Sequence, residues 1–523
     1  MGHATDELPY ARMSRAAQRE VSDHCRHNLW IVDIDVSPYA RARYNHRVVS
    51  RQAVLLSGGG SMRDRVAMGV WRKIPWALLL VLALVASACS GAGGGGGGGG
   101  SEGGKTTITV ATVANPQMQD IEKLSSNFEK DNPNIDVKFV ILPENELRDR
   151  VTADIATKGG QYDVVTIGTF EVPQWAKNSW IENLASYTQK DSSYDVGDLI
   201  PAVSKALSYQ DNLYAVPFYG ESSFLMYRKD LFDKAGLKMP AQPTWDQVAQ
   251  FAHKLNDPKK NQAGICLRGL PGWGELFAPL NTVANTYGGR WYDMNWNAKL
   301  TEAPFVQATQ FYVDLVKSAG EPGAPNAGFT ECLTSYSQGH AAMWYDATVA
   351  ASLLEDPKSS KVVGKNGYAP APVKDTDWSG WLWAWSLAMP SDSKKKDAAW
   401  KFMSWATSKD YIKLVGTELG WARVPPGSRL STYQIPEYKK AAAAFADLTV
   451  KAINEADINN AGTQPRPYIG VQYVGIPEFQ SLGTAVAQEI SAAIAGRQTV
   501  EQALQKGQQQ AEQVAKEGGY KKG

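Results

Sequence analysis

TTITVATVANPQMQDIEKLSSNFEKDNPNIDVKFVILPENELRDRVTADIATKGGQYDVVTI, residues Thr106–Ile167, is the stretch on which the fold turns. Thr106–Thr112 is a β-branched run with strand character. Met118, Ile121, Leu124 and Phe128 then recur at helical spacing, and Asn132-Pro133 closes that helix. Asp136–Leu142 reads as a second strand. Leu147, Val151 and Ile155 mark a second helix ending at Gly159-Gly160, and Asp163–Ile167 is a third strand. Strand-helix-strand-helix-strand with short connections implies an α/β fold whose parallel sheet is covered on both faces.

The same reading extends toward the C-terminus. Helical patterns fall at Thr244–Asn256, Gln307–Lys317, Lys395–Thr407, Glu478–Ile494 and Val500–Glu517. Strands are expected at Ala263–Arg268, Ala341–Tyr345, Tyr368–Pro370 and Trp383–Met389. No fixed-period repeat is present, which argues against a solenoid or propeller. Ligands of open α/β sheets sit beyond the carboxyl ends of the strands. That draws attention to Val113–Asn115, Gly168–Glu171, Arg268–Glu275 and Trp344–Thr348.

Toward the N-terminus the chain reads as an address. Arg72 and Lys73 precede an apolar stretch, Ile74 to Val85, and Ala86-Ser87-Ala88 supplies small residues before Cys89. This is the order of a signal peptide, 68–88, and its apolar part falls short of the roughly 20 residues that span a bilayer. A cysteine directly after the cleavage site resembles a bacterial lipobox, with Ala86 where a branched residue is usual, so Cys89 is the expected lipidation site. After Cys89, Gly91 to Gly104 is almost pure glycine, a flexible tether reaching about 20 Å. Residues 1–67 fit neither part and read as a mis-annotated or disordered extension; His24, Cys25 and His27 within them lack a second pair of metal ligands.

Charge and composition narrow the function. Residues 1–88 hold 12 Lys+Arg and 7 Asp+Glu, leaving 42 basic and 46 acidic side chains in the remainder. Such a weakly acidic body has no clustered basic surface for nucleic acid. It contains two histidines, His253 and His340, far apart, and no P-loop, dinucleotide fingerprint or nucleophile elbow. No metal and no cofactor is implied. Cys266 and Cys332 either pair in an oxidising compartment or stay as buried thiols, and spacing decides neither.

What the body does carry is indoles beside planar polar groups. Fourteen tryptophans follow Cys89, several clustered. A sugar or sugar alcohol presents apolar C–H faces, which aromatic rings cover, and hydroxyls, which Asp, Glu, Asn and Arg bind. Four constellations fit. Phe218-Tyr219-Gly220-Glu221 follows a strand. Arg268, Trp273 and Glu275 share a Gly/Pro-rich loop. Trp344-Tyr345-Asp346 ends another strand, and Trp383-Ala384-Trp385 puts two indoles on one face by period-two alternation.

At these residues the chain resembles the family 1 extracellular solute-binding proteins of ABC importers, over about Lys105 to Glu517. The resemblance is carried by LYAVPFYGESSFLMYRKDLFDKAGL (Leu213–Leu237), PTWDQVAQFAHKL (Pro243–Leu255), GHAAMWYDATVA (Gly339–Ala350), KKDAAWKFMSWATSKDYIKLVG (Lys395–Gly416) and GRQTVEQALQKGQQQ (Gly496–Gln510). LPENELR (Leu142–Arg148), GICLRGLPGWGE (Gly264–Glu275) and GGRWYDMNW (Gly288–Trp296) are most similar to the sorbitol/mannitol branch.

The resemblance implies a two-lobed, type II periplasmic-binding-protein fold with a hinge and an interlobe cleft. The lobes would comprise 105–217 and 345–410 for the first, 218–344 and 411–523 for the second. It further implies a lipid-anchored monomer at the extracytoplasmic face that hands a polyol to an ABC permease and is not an enzyme. Trp273, Trp344 and Trp383 would cover the carbon chain, and Tyr219 belongs to the same aromatic set. Glu221, Arg268, Glu275 and Asp346 would anchor hydroxyls, with Asn145 and Thr169 contributing from the first lobe. The rival readings are a mono- or oligosaccharide binder in the same role, a surface-tethered glycoside hydrolase, and a non-transport adhesin or sensor input.

Overall fold

The computed structural model describes residues 104–521. The N-terminal extension with His24, Cys25 and His27, the signal peptide, Cys89 and the glycine tether all lie outside the described residues. Within them the opening pattern is realised as β1 (Thr106–Val113), α1 (Pro116–Asp131), β2 (Ile135–Leu142), α2 (Glu144–Thr157) and β3 (Val164–Ile167). Pro116 opens α1 with its φ already helical, and Met118, Ile121, Leu124 and Phe128 form the buried stripe. α2 ends just before the expected glycine pair, because Lys158 itself takes the left-handed conformation at φ 53°. The short helix α3 (Glu171–Lys177) follows.

β4 (Ala215–Glu221) and β5 (Ser223–Arg228) come next, separated by Ser222 alone. α4 (Trp245–Leu255) starts on a reciprocal cap, in which Thr244 and Gln247 each accept the other's backbone N–H. α5 (Phe277–Thr286), α6 (Ala303–Ala319) and α7 (Phe329–Ser337) lead to β6 (Met343–Ala347), α8 (Ala350–Leu354) and β7 (Asn366–Pro370). β8 (Trp383–Ala388), α9 (Lys396–Ala406) and α10 (Lys409–Glu418) precede the closing pair α11 (Phe479–Ile494) and α12 (Val500–Glu517). One expected strand is absent as such. Ala263–Arg268 makes only isolated parallel bridges, Ala263 to Ala341 and Cys266 to Trp344. The amides of Gly264 and Ile265 bond instead to the Ala319 carbonyl at the end of α6, which removes them from any ladder.

Two sheets organise these elements. The first has the order β2-β1-β3-β8-β4. β1, β2 and β3 are parallel as expected, but β8 runs antiparallel between β3 and β4, so the sheet is mixed. α9 packs against β1, α1 and β4, and Phe402 meets Phe128 edge-on at 5.5 Å. The second sheet, β6-β5-β7, is antiparallel, and α6 packs against α4, α5, α11 and α12 beside it. The protein is thus a two-lobed α/β molecule, one lobe on each sheet.

The lobe boundaries differ from those the sequence suggested. A crossing at 344/345 would cut β6, whose residues through Ala347 pair with β5, and β7 pairs with β5 as well. Having left the first sheet at Ser222, the chain returns to it only between Pro370 and Trp383. A crossing at 410/411 would split α10, whose Tyr411 packs on Trp405 and on Phe218 of β4, at ring distances of 5.1 and 5.6 Å. Aromatic packing keeps α10 with the first lobe. Cys266 and Cys332 are disulfide-bonded, tying the loop before α5 to α7. Among the described residues no helix is long and apolar enough to cross a membrane.

Candidate functional site: a cleft between the lobes

A cavity of about 430 Å³, counting its open mouth, lies where both sheets end. Strand geometry explains its walls. Asn115 follows the carboxyl end of β1, and Glu144 and Arg148 stand on the first turns of α2, just past β2. Tyr219 and Glu221 alternate along β4, and Trp383 and Trp385 along β8, so each pair faces one side. The second lobe supplies Arg268, Trp273, Gly274, Ala278, Phe329, Ala347 and Val349. Trp381 comes from the segment just before β8 and Gln472 from the loop before α11.

Arg148 is the centre of the first lobe's wall. Its Nε and Nη2 donate to Glu144 Oε1 at 3.1 and 2.9 Å, and its Nη1 pairs with Glu171 Oε1. The guanidinium also lies over three indoles, 4.1 Å from the Trp273 ring centre, 4.8 Å from Trp385 and 5.0 Å from Trp383. Planar charge between electron-rich faces is a stacking contact worth up to about 2 kcal/mol when desolvated. Gly168 makes room for this stack: a Cβ there would sit 2.0 Å from Trp383.

Arg268 does the same for the second lobe. Nε and Nη2 form a fork on Asp346, at 2.8 and 2.5 Å, while Nη1 donates to Gly274 O at 3.0 Å and Glu275 Oε2 at 3.3 Å. Burial would pull the guanidinium's pKa down, but Asp346 and Glu275 more than reverse this and hold it firmly charged. Burial, with Glu144 nearby, pushes the Glu275 carboxyl up against the pull of Arg268. The Phe329 amide at the start of α7 also donates to Glu275 Oε2, at 3.1 Å.

Glu221 has a different setting. Burial pushes its carboxyl up to about 8, Arg268 opposes this, and Asp346 and Glu144 add to it. Tyr219 next to it accepts from Asn115 Nδ2 at 2.8 Å through its hydroxyl oxygen. Two further groups on the wall, Trp273 Nε1 and Gln472 Oε1, are buried and have no hydrogen-bond partner among the described residues. A donor and an acceptor on these wall residues are therefore left unpaired, each at a cost of about 1–3 kcal/mol.

Of the residues the sequence singled out, Tyr219, Glu221, Arg268, Trp273 and Trp383 line the cavity; Asn145, Thr169, Glu275, Trp344 and Asp346 do not. Asn145 instead spans the lobes, its Nδ2 donating to Pro271 O at 3.0 Å. Thr169 lies behind the wall, bonded to Leu382 O and to the Tyr473 hydroxyl. Trp344 is wholly buried between Phe329 and Tyr336, with its indole N–H on Asp346 Oδ2 at 3.0 Å. Asp346 and Glu275 both accept hydrogen bonds from the Arg268 guanidinium. Arg148, Glu144, Asn115, Trp381, Trp385 and Gln472 were not among the expected ligands. Asn115 lay in a strand-end segment already marked, Glu144 and Arg148 in the LPENELR block, and both tryptophans in the indole cluster. Gln472 had no local signal, since only packing brings its loop across to Leu382, whose carbonyl it meets at 3.0 Å.

This geometry agrees with the comparisons to known proteins. Residues 85–413 match the family model of bacterial extracellular solute-binding proteins. The mannitol-binding protein of Pseudomonas aeruginosa is 46% identical over 417 residues, 80% of this chain and 94% of the relative. A solute-binding protein of an ABC transporter from Agrobacterium vitis S4, solved with bound D-mannitol, superposes with a TM-score of 0.78 at 51% identity, covering 79% of this chain and 99% of that one. Another, from Agrobacterium radiobacter K84 in complex with ribitol, gives 0.69 at 27% identity, covering 79% and 99%. With its two lobes and the cleft between them, this chain belongs to the bacterial extracellular solute-binding protein family.

Proposed function

We propose that the chain captures a linear polyol of the mannitol type in this cleft and delivers it to the permease of an ABC importer. The observation that supports it most directly is the make-up of the wall. Four indoles offer flat apolar cover, and unpaired Trp273 Nε1 and Gln472 Oε1 offer one donor and one acceptor, the two roles a hydroxyl can fill. The relatives that bind mannitol and ribitol favour a polyol over a sugar ring. The ligand would lie along Trp273, Trp381, Trp383 and Trp385, with Arg148, Arg268, Tyr219 and Glu221 on its hydroxyls.

Catalysis is not part of this reading. Glycoside hydrolysis needs two carboxyl groups free to act as acid and base or nucleophile. Here Glu144, Glu171, Glu275 and Asp346 are all engaged by guanidiniums, which leaves Glu221. The protein would act as a monomer, held at the extracytoplasmic face by a lipid on Cys89. Isothermal titration of the full chain with D-mannitol, sorbitol, ribitol, glucose and maltose tests the proposal. One-to-one binding of a hexitol near micromolar, about −8 kcal/mol, with the sugars much weaker, is expected. A sugar bound more tightly than every polyol would sink it.

A further inference from the structure

The carboxylates in and behind the cavity wall divide into two kinds. Arg148 holds Glu144 and Glu171, and Arg268 holds Glu275 and Asp346. Glu221 lines the same cavity and is only 6% exposed, yet among the described residues it has no ion pair. The neutral indole of Trp381 favours its ionised form, as Arg268 does from a distance. A buried carboxylate without a cation is an expensive arrangement, and one that a ligand can relieve.

We infer that Glu221 makes the cleft a receptor for amino-substituted polyols, in which an ammonium replaces one terminal hydroxyl and ion-pairs with the Glu221 carboxylate. This rests on the polyol reading of the cleft. An ammonium is close to a hydroxyl in size, carries three donors, and adds the charge Glu221 lacks. The site also fixes which end of the ligand carries it. Arg148 repels an ammonium placed beside it, while Glu221, with Glu144 and Asp346 nearby, attracts one against the opposing charge of Arg268. The other hydroxyls keep the partners they have in a neutral polyol. Glu221, which burial holds protonated below about 8, ionises as the ammonium arrives, so its proton leaves to solvent.

The experiment is isothermal titration of the full chain at pH 7 with D-mannitol and with D-mannamine, its terminal amine analogue, in two buffers of different ionisation enthalpy. Mannamine is expected to bind at least as tightly as mannitol and to release about one proton per ligand, while mannitol releases less. In Glu221→Gln both ligands should weaken, and the loss for mannamine should exceed that for mannitol by about tenfold or more. Mannitol binding without mannamine binding, mannamine binding without extra proton release, or equal losses for both in the variant would each overturn this inference and leave the polyol reading standing. A chain that takes neither compound overturns both. The proton count comes from the unaltered protein, so the result does not depend on the variant folding.

Discussion

Arg148 shows how much a single side chain can fix. It neutralises two glutamates and is covered by three tryptophans, so its planar fork meets demands that a lysine cannot. Arg148→Lys is expected to lower hexitol affinity about tenfold or more, about 1.4 kcal/mol, in a titration, with the fold retained by circular dichroism. Glu221 gives a pH signature. Its folded-state pKa of about 8 lies above the ordinary carboxyl value, so the unfolded chain gives up this proton first as pH rises. Its stabilising contribution is therefore full below the ordinary carboxyl range and is lost as pH climbs toward 8. Arg268, Asp346, Glu144 and Tyr219 are the titratable groups around it. The melting temperature of the ligand-free protein should fall between pH 5 and 8, and Glu221→Gln should flatten that slope; an unchanged slope in the variant would refute the assignment. Residues of this kind were partly legible in sequence. Arg268 and Trp273 stood out because they share one short loop. Arg148 did not, because its glutamate and tryptophan partners come from four different segments.

At the scale of elements, the loop Arg268–Glu275 and the start of α2 meet face to face. A Cβ on Gly274 would lie 2.0 Å from Glu144 Oε1, which Arg148 already holds in place. Gly274→Ala is expected to hold the lobes apart and weaken ligand binding about tenfold or more, while the melting temperature stays nearly constant. A clear loss of melting temperature with unchanged affinity would place the strain in the loop instead. The disulfide closes a separation of 66 residues, so Cys266→Ala with Cys332→Ala should cost about 4 kcal/mol in urea unfolding. Long periodic elements were the most readable part of the sequence. α1, α4, α9, α11 and α12 fall where apolar spacing and capping residues put them, since both signals are local. β8 was found as a strand but not its direction, and Ala263–Arg268 was misjudged as one. Both outcomes depend on what lies alongside: β3 and β4 in the first case, the end of α6 in the second.

Across the whole molecule, the lobes clasp on both sides of the cleft. On one side Gln117 donates to Ser352 at 2.9 Å, and Arg423 pairs with both Asp120 on α1 and Asp356 beyond α8. On the other, Asn145 meets Pro271 O and Gln480 meets Thr152 and Asp149. At the hinge, Ser222 exchanges hydrogen bonds with Thr348. Arg423→Ala leaves Asp120 and Asp356 without this partner and should favour the open form. Faster ligand release and a larger radius of gyration in X-ray scattering would bear this out, and unchanged release would contradict it. The two-lobed plan was legible from family resemblance, but the crossings were not, because they depend on which sheet claims β6, β7 and α10. The packing of α11 and α12 against α6 has a further consequence in time. These helices are the last to leave the ribosome, and until they do, one face of α6 stays uncovered. The second lobe therefore completes its core only once both helices are in place.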